Sequence, residues 1–167
     1  MAKRTWDRAI KNGLQAYVTR TNYAYFYGAK GEVLTDVVMD RLVNEYPDYF
    51  KQYTKSELQK IYNYSRGKIG YDCSGFTGWL CTGDKNYSTQ QLNNCKLITT
   101  PALGVAGSLL YTTFGGTGRH CGLDIGYGYF LHMPKEMHTI ELDRIADFRW
   151  EESGESKYLD YTGATNR

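Results

Sequence analysis

A chain of 167 residues is one domain's worth, long enough to bury a hydrophobic core and too short for several. Its net charge of +2, with the basic residues scattered (Lys3, Arg4, Arg8, Lys11, Arg20, Lys55, Lys60, Arg66, Lys68), argues against nucleic acid as the main partner. No stretch approaches membrane-spanning length, and Met1-Ala2-Lys3-Arg4-Thr5-Trp6 leads into no apolar run of the kind that marks an export signal. The expectation is a chain made in a cytoplasm without a signal peptide, or trimmed of one.

In chain order, Trp6, Ile10, Leu14, Tyr17 and Val18 recur at helical spacing, so a helix is predicted over about 4–20. Tyr23-Ala24-Tyr25-Phe26-Tyr27-Gly28-Ala29-Lys30-Gly31 reads as a loop or short extended piece whose two glycines let the backbone pass close to something. Leu34, Val37, Val38, Arg41, Leu42 and Glu45 predict a helix over about 33–46, stopped ahead of Pro47. Thr54-Lys55-Ser56-Glu57 is a capping-box pattern that opens another over about 55–65. Gly67 and Gly70 then lead into Tyr71-Asp72-Cys73-Ser74-Gly75-Phe76, the start of a further helix with Phe76, Trp79 and Leu80 on one side.

After Pro101 the pattern turns to strands. Gly107–Phe114 is one, Gly115–Gly118 a flexible connection, and His120–Ile125 and Tyr129–Met133 two more around a Gly126-Tyr127-Gly128 hairpin. Met137–Leu142 adds a strand, Arg144–Trp150 a short helix or loop, and the tail after Ser153 is polar and peripheral. Helices first and an antiparallel sheet second means an α+β fold.

Two features carry chemistry. Asp72 sits where an N-cap belongs, which makes Cys73 the first helical residue, where the positive end of the helix favours thiolate. Such a cysteine is a nucleophile or a small core residue. Of the three histidines, His120 and His132 flank one hairpin. A three-residue loop at 126–128 sets Gly122 opposite His132 and places both imidazoles on one face; a two-residue turn would put them on opposite faces. His120 would then take the thiol proton of Cys73 while His132 holds the other ring nitrogen. The competing reading is half of a zinc site with His138 and Cys121, though Cys121 would point to the face opposite His120. The four cysteines, at 73, 81, 95 and 121, show no metal-finger spacing and fit free thiols better than disulfides.

The order of nucleophile on a helix, base on a strand and orienting residue on the next strand is the papain-like arrangement. Tyr71-Asp72-Cys73-Ser74-Gly75-Phe76, then Gly118-Arg119-His120-Cys121-Gly122-Leu123-Asp124-Ile125-Gly126, then Gly128-Tyr129-Phe130-Leu131-His132, resembles the NlpC-type (NlpC/P60 superfamily) cell-wall cysteine peptidases. The resemblance covers about 23–31 and 70–133. It implies a single papain-like domain over 1–167, with N-terminal helices packed on an antiparallel sheet and a helical insertion at about 32–69. It implies Cys73 as nucleophile, His120 as base and His132 as third member. It also implies Tyr25, Asp72 and Ser74 as substrate-binding residues, with no metal or other cofactor. The chain departs from the family pattern at Tyr27 (a tryptophan in the family), at Arg119 before the base, and at Cys121 and Asp124 in the strand. Gly75 and Gly78 are read as small residues that let the histidine strands pack close to the cysteine helix.

What the resemblance implies functionally is a peptidoglycan hydrolase that cuts stem-peptide bonds, commonly γ-D-glutamyl to diamino acid, through an acyl-enzyme. The partner would be the wall stem peptide, with no nucleic acid, no membrane and a monomeric protein, as in a phage or prophage lysin or an excised catalytic domain. Two alternatives stand beside it: a CHAP-type N-acetylmuramoyl-L-alanine amidase, and an inactive relative that binds wall peptides in a tyrosine-lined groove.

Overall fold

The computed structural model describes residues 3–84, 95–112 and 120–165. The first of these segments is mainly helical. Strand β1 (Arg4–Thr5) runs into helix α1 (Trp6–Val18), followed by β2 (Tyr23–Tyr25) and β3 (Lys30–Val33). Helices α2 (Asp36–Glu45), α3 (Pro47–Phe50) and α4 (Lys55–Ser65) come next, then β4 (Ile69–Tyr71) and α5 (Cys73–Thr82). The starts of α2, α3 and α4 have local causes. Thr35 accepts a hydrogen bond from the Val38 amide at the start of α2, Pro47 occupies the first turn of α3, and Thr54 and Glu57 form the capping box that opens α4.

The remaining strands are β5 (Cys95–Thr99), β6 (Leu109–Thr112), β7 (His120–Gly126), β8 (Tyr129–His132), β9 (Glu141–Arg144), β10 (Glu152–Ser156) and β11 (Leu159–Asp160). Six of them form an antiparallel sheet in the order β5-β10-β6-β7-β8-β9. Helices α1 and α5 cover one face, where Phe76, Leu80 and Cys81 of α5 meet Leu109, Tyr111, Cys121, Leu123 and Leu131 of the sheet. The fold is α+β and papain-like, as the order of patterns predicts. No helix among the described residues is long and apolar enough to cross a membrane.

The segment between Tyr25 and Tyr71 packs its own core of Phe26, Leu34, Met39, Leu42, Phe50 and Ile61. It is not helical throughout: β3 and β4 bracket its helices, and with β2 they make a small sheet in which β4 pairs parallel to β2 and antiparallel to β3. The close backbone approach expected at 23–31 is made by Gly28. Its φ is +83°, and a Cβ there would stand 2.3 Å from the Tyr46 ring.

Several expectations are corrected. The tail after Ser153 is not peripheral: β10 lies inside the large sheet, β11 pairs with β1, Leu159 is fully buried, and the Tyr161 hydroxyl donates to the Gly107 carbonyl. Its polar residues hid this, because β10 (Glu-Ser-Gly-Glu-Ser) buries serines and a glycine rather than aliphatic side chains. The strand expected at 137–142 is displaced to Glu141–Arg144, with Met137 in a turn at φ 63°. Strand β5 has no counterpart in the sequence reading. Gly75 makes room for the Ala29 carbonyl, 2.7 Å from where its Cβ would stand, rather than for the histidine strands. The connection expected at 115–118 lies outside the described residues.

Candidate active site

Cys73 opens α5, and the turn is built by Asp72. One Asp72 oxygen accepts from the Gly75 amide at 2.6 Å and from the Ser74 hydroxyl at 3.0 Å; the other accepts from the Gly28 amide at 3.2 Å, with Lys30 Nζ at 3.7 Å. The carboxylate therefore caps the helix and ties it to the Tyr25–Lys30 segment. Both Asp72 and Ser74 are buried, whereas Cys73 is half-buried. At the far end of α5, the Arg4 guanidinium donates to the Trp79 and Leu80 carbonyls at 3.2 and 2.9 Å, supplying a cation at the negative end of the helix.

The histidines come from adjacent strands, and their register has an unforeseen origin. The hairpin has the two-residue loop Tyr127-Gly128, both at positive φ (56° and 80°), the turn type that suits the strand twist. By itself that turn would set the imidazoles on opposite faces. A bulge at Ile125, between the Asp124–Phe130 and Gly126–Tyr129 pairs, inserts the missing residue and restores the required alternation. His120 Nε2 and His132 Nδ1 are 2.7 Å apart. Cys121 faces α5 instead, with its sulfur 3.4 Å from the Thr77 hydroxyl.

With His120 Nε2 committed to His132, Nδ1 is the nitrogen left for the Cys73 thiol beside it. The neighbouring Cys121 sulfur and burial push the Cys73 thiol well above its ordinary pKa, while His120 pulls it back. In the free protein the thiol therefore keeps its proton at neutral pH. His132 is fully buried, and burial lowers its pKa against the opposing pull of Asp143, so it is neutral. Its Nε2 lies 2.8 Å from Asp143 Oδ2 and 3.9 Å from Glu141 Oε2.

Aromatic rings enclose the imidazole pair. Trp150 stacks on His120 with centroids 5.7 Å apart, and Phe130 and Phe148 lie 4.7 and 5.2 Å from His132. Gly122 makes this possible, because a Cβ there would come within 2.8 Å of the Phe130 ring. Such a wall keeps water from competing for the His120–His132 hydrogen bond.

Tyr25 is also buried. Burial, and then the neighbouring Cys73, Tyr49, Glu136 and Asp72, push its hydroxyl well above its ordinary pKa. In a second polar cluster Tyr49 and Tyr53 donate to Glu136 Oε2 at 2.6 and 2.9 Å, and Tyr27 stacks on Tyr49 with centroids 3.8 Å apart. The sequence reading gave Asp143, Trp150, Tyr49 and Glu136 no place at the site. The available signal for Asp143 was the alternation Glu-Leu-Asp beside a histidine strand; Glu136 had none. His132, Glu141 and Asp143 also form the one group among the described residues whose ligand-type atoms lie within 4.8 Å of one another, but His132 and Asp143 already bond to each other there.

The structure thus brings a helix-borne thiol next to a hydrogen-bonded pair of imidazoles on an antiparallel sheet. Among solved structures, the chain is similar to NlpC1 from Trichomonas vaginalis at 16% identity and a TM-score of 0.55, over 96% of this chain. It spans only 45% of that protein. It is also similar to the NlpC/p60 domain of the peptidoglycan hydrolase SagA, at 21% identity and a TM-score of 0.43, over 51% of this chain and 76% of that one. No family model and no curated protein matches the sequence. The chain has an NlpC/P60-type fold.

Proposed function

We propose that the protein is a peptidoglycan hydrolase: a cysteine endopeptidase that cuts stem-peptide bonds, with γ-D-glutamyl to diamino acid as the scissile linkage. The observation that carries this reading is the Cys73–His120–His132 array at the positive end of α5, on an NlpC/P60-type fold. His120 Nδ1 takes the thiol proton as the sulfur attacks the scissile carbonyl carbon, and the carbonyl electron pair moves onto oxygen. The Cys73 backbone N–H and the helix dipole stabilise that oxyanion. Collapse expels the amine, which takes the proton from His120, and leaves a thioester on Cys73. Water, deprotonated by His120, then releases the carboxylic acid and regenerates the thiol. Tyr25 borders the nucleophile as a hydroxyl donor for the substrate, while Asp72 and Ser74 hold the turn that presents the sulfur.

The test is digestion of purified peptidoglycan by wild-type and Cys73→Ala proteins, with products read by mass spectrometry. Wild type is expected to release fragments with a new amino group on the diamino acid, and the variant none. Release by Cys73→Ala overturns the nucleophile. A new amino group on the stem-peptide alanine, left by cleavage from the muramic lactyl group, moves the assignment to an amidase.

A further inference from the structure

A carboxylate stands behind the imidazole pair, and the chemistry of the four groups fits only one arrangement of protons. Asp143 on β9 offers acceptors alone when ionised, so His132 Nε2, 2.8 Å away, must carry the hydrogen between them. A neutral imidazole has one N–H, which leaves His132 Nδ1 as an acceptor. The hydrogen in the 2.7 Å contact then belongs to His120 Nε2. That in turn leaves His120 Nδ1 with its lone pair free for the Cys73 proton. Reversing any link would point an N–H at the thiol and remove the base.

We infer that Asp143 is a positioning residue of this site: it selects the tautomers of His132 and, through it, of His120, and stabilises the imidazolium that forms on His120. This rests on the proposed cysteine chemistry but adds a fourth member that neither the sequence motifs nor the triad contains. The fold builds it deliberately. His132 pairs with Glu141 across β8 and β9, and Phe130 pairs with Asp143, so Asp143 reaches His132 along the diagonal. Phe148 covers the His132 ring from the side. Glu141 lies farther from Nε2 and is held at 2.6 Å by His138 Nδ1, so the nearer carboxylate is the one that bonds.

Three measurements on Asp143→Asn test this. An amide can turn its NH2 toward Nε2 and invert the proton order, so kcat on a stem peptide is expected to fall about 10- to 1,000-fold with KM little changed. Asp143→Glu, which restores an acceptor-only group, is expected to recover part of the loss. The 15N spectrum of labelled histidine should show His132 protonated on Nε2 in wild type and a changed pattern in Asp143→Asn. Alkylation of Cys73 by iodoacetamide at neutral pH should slow in parallel, and it requires no peptidoglycan. Failure of the wall-hydrolase reading would therefore leave the last two measurements intact. Wild-type alkylation and an unchanged His132 spectrum in folded Asp143→Asn would overturn the inference.

Discussion

His132 is neutral and fully enclosed, and that has a cost in acid. Its pKa is lowered from 6.5 chiefly by burial, so below about pH 6.5 the unfolded chain binds a proton that the folded protein does not. Stability therefore falls as the pH drops through that range, by at most about 1.4 kcal/mol per pH unit for this one group. Urea unfolding at pH 7 and pH 5 measures it. His132→Asn can still accept from His120 and donate to Asp143 but does not titrate, and it is expected to flatten the slope. An equally steep slope in that variant would assign the acid sensitivity to other groups. The same enclosure suits the proposed chemistry, because a neutral His132 stays an acceptor on the side facing His120.

Among the elements, α5 carries the most. It is buried on nearly every side, with the sheet below, α1 alongside and the Ala29–Lys30 backbone against Gly75. Such a helix is positioned by its ends, and Asp72 holds the Cys73 end through the Gly75, Ser74 and Gly28 contacts. Asp72→Ala removes the cap and the tie to the neighbouring loop together, and should cost about 2–3 kcal/mol in urea denaturation. Its activity should fall as well, because the sulfur no longer has a fixed approach to His120. A variant as stable as wild type would show that packing alone holds the turn.

For the molecule as a whole, the second core around Leu34, Met39, Leu42 and Phe50 raises the question of whether it folds separately. The small sheet answers it: β4 pairs with both β2 and β3 and leads directly into Asp72 and α5, so the insertion cannot leave without disturbing the helix that carries Cys73. Tyr27 packs against both cores. Leu42→Ala is expected to cost about 2–4 kcal/mol. Its unfolding should remain a single transition, with far-UV circular dichroism coinciding with fluorescence from Trp6, Trp79 and Trp150, all outside the insertion. Helical signal lost ahead of tryptophan fluorescence would mean that the two cores are separate units.

What could be read without coordinates was whatever is local. Periodicity and caps located α1, α2 and α4, and Asp72 announced the start of α5, because a capping carboxylate and the donors it accepts from lie within three residues. The shared face of His120 and His132 was legible as a requirement, but not its cause. The turn has two residues, and only the Ile125 bulge reconciles it with the pairing, which depends on the partner strand. Asp143, Trp150 and the Glu136 cluster were hidden because each acts on a residue far away in the chain or across a strand pair. The buried role of β10 was hidden because a polar strand becomes interior only when β5 and β6 close on both of its edges. The sequence by itself marked a cysteine at a helix start and two histidines flanking one hairpin, with the helix and strands that bear them. Only the tertiary structure decided which nitrogens the two imidazoles turn to each other and which carboxylate stands behind them, since those contacts lie between segments rather than within one.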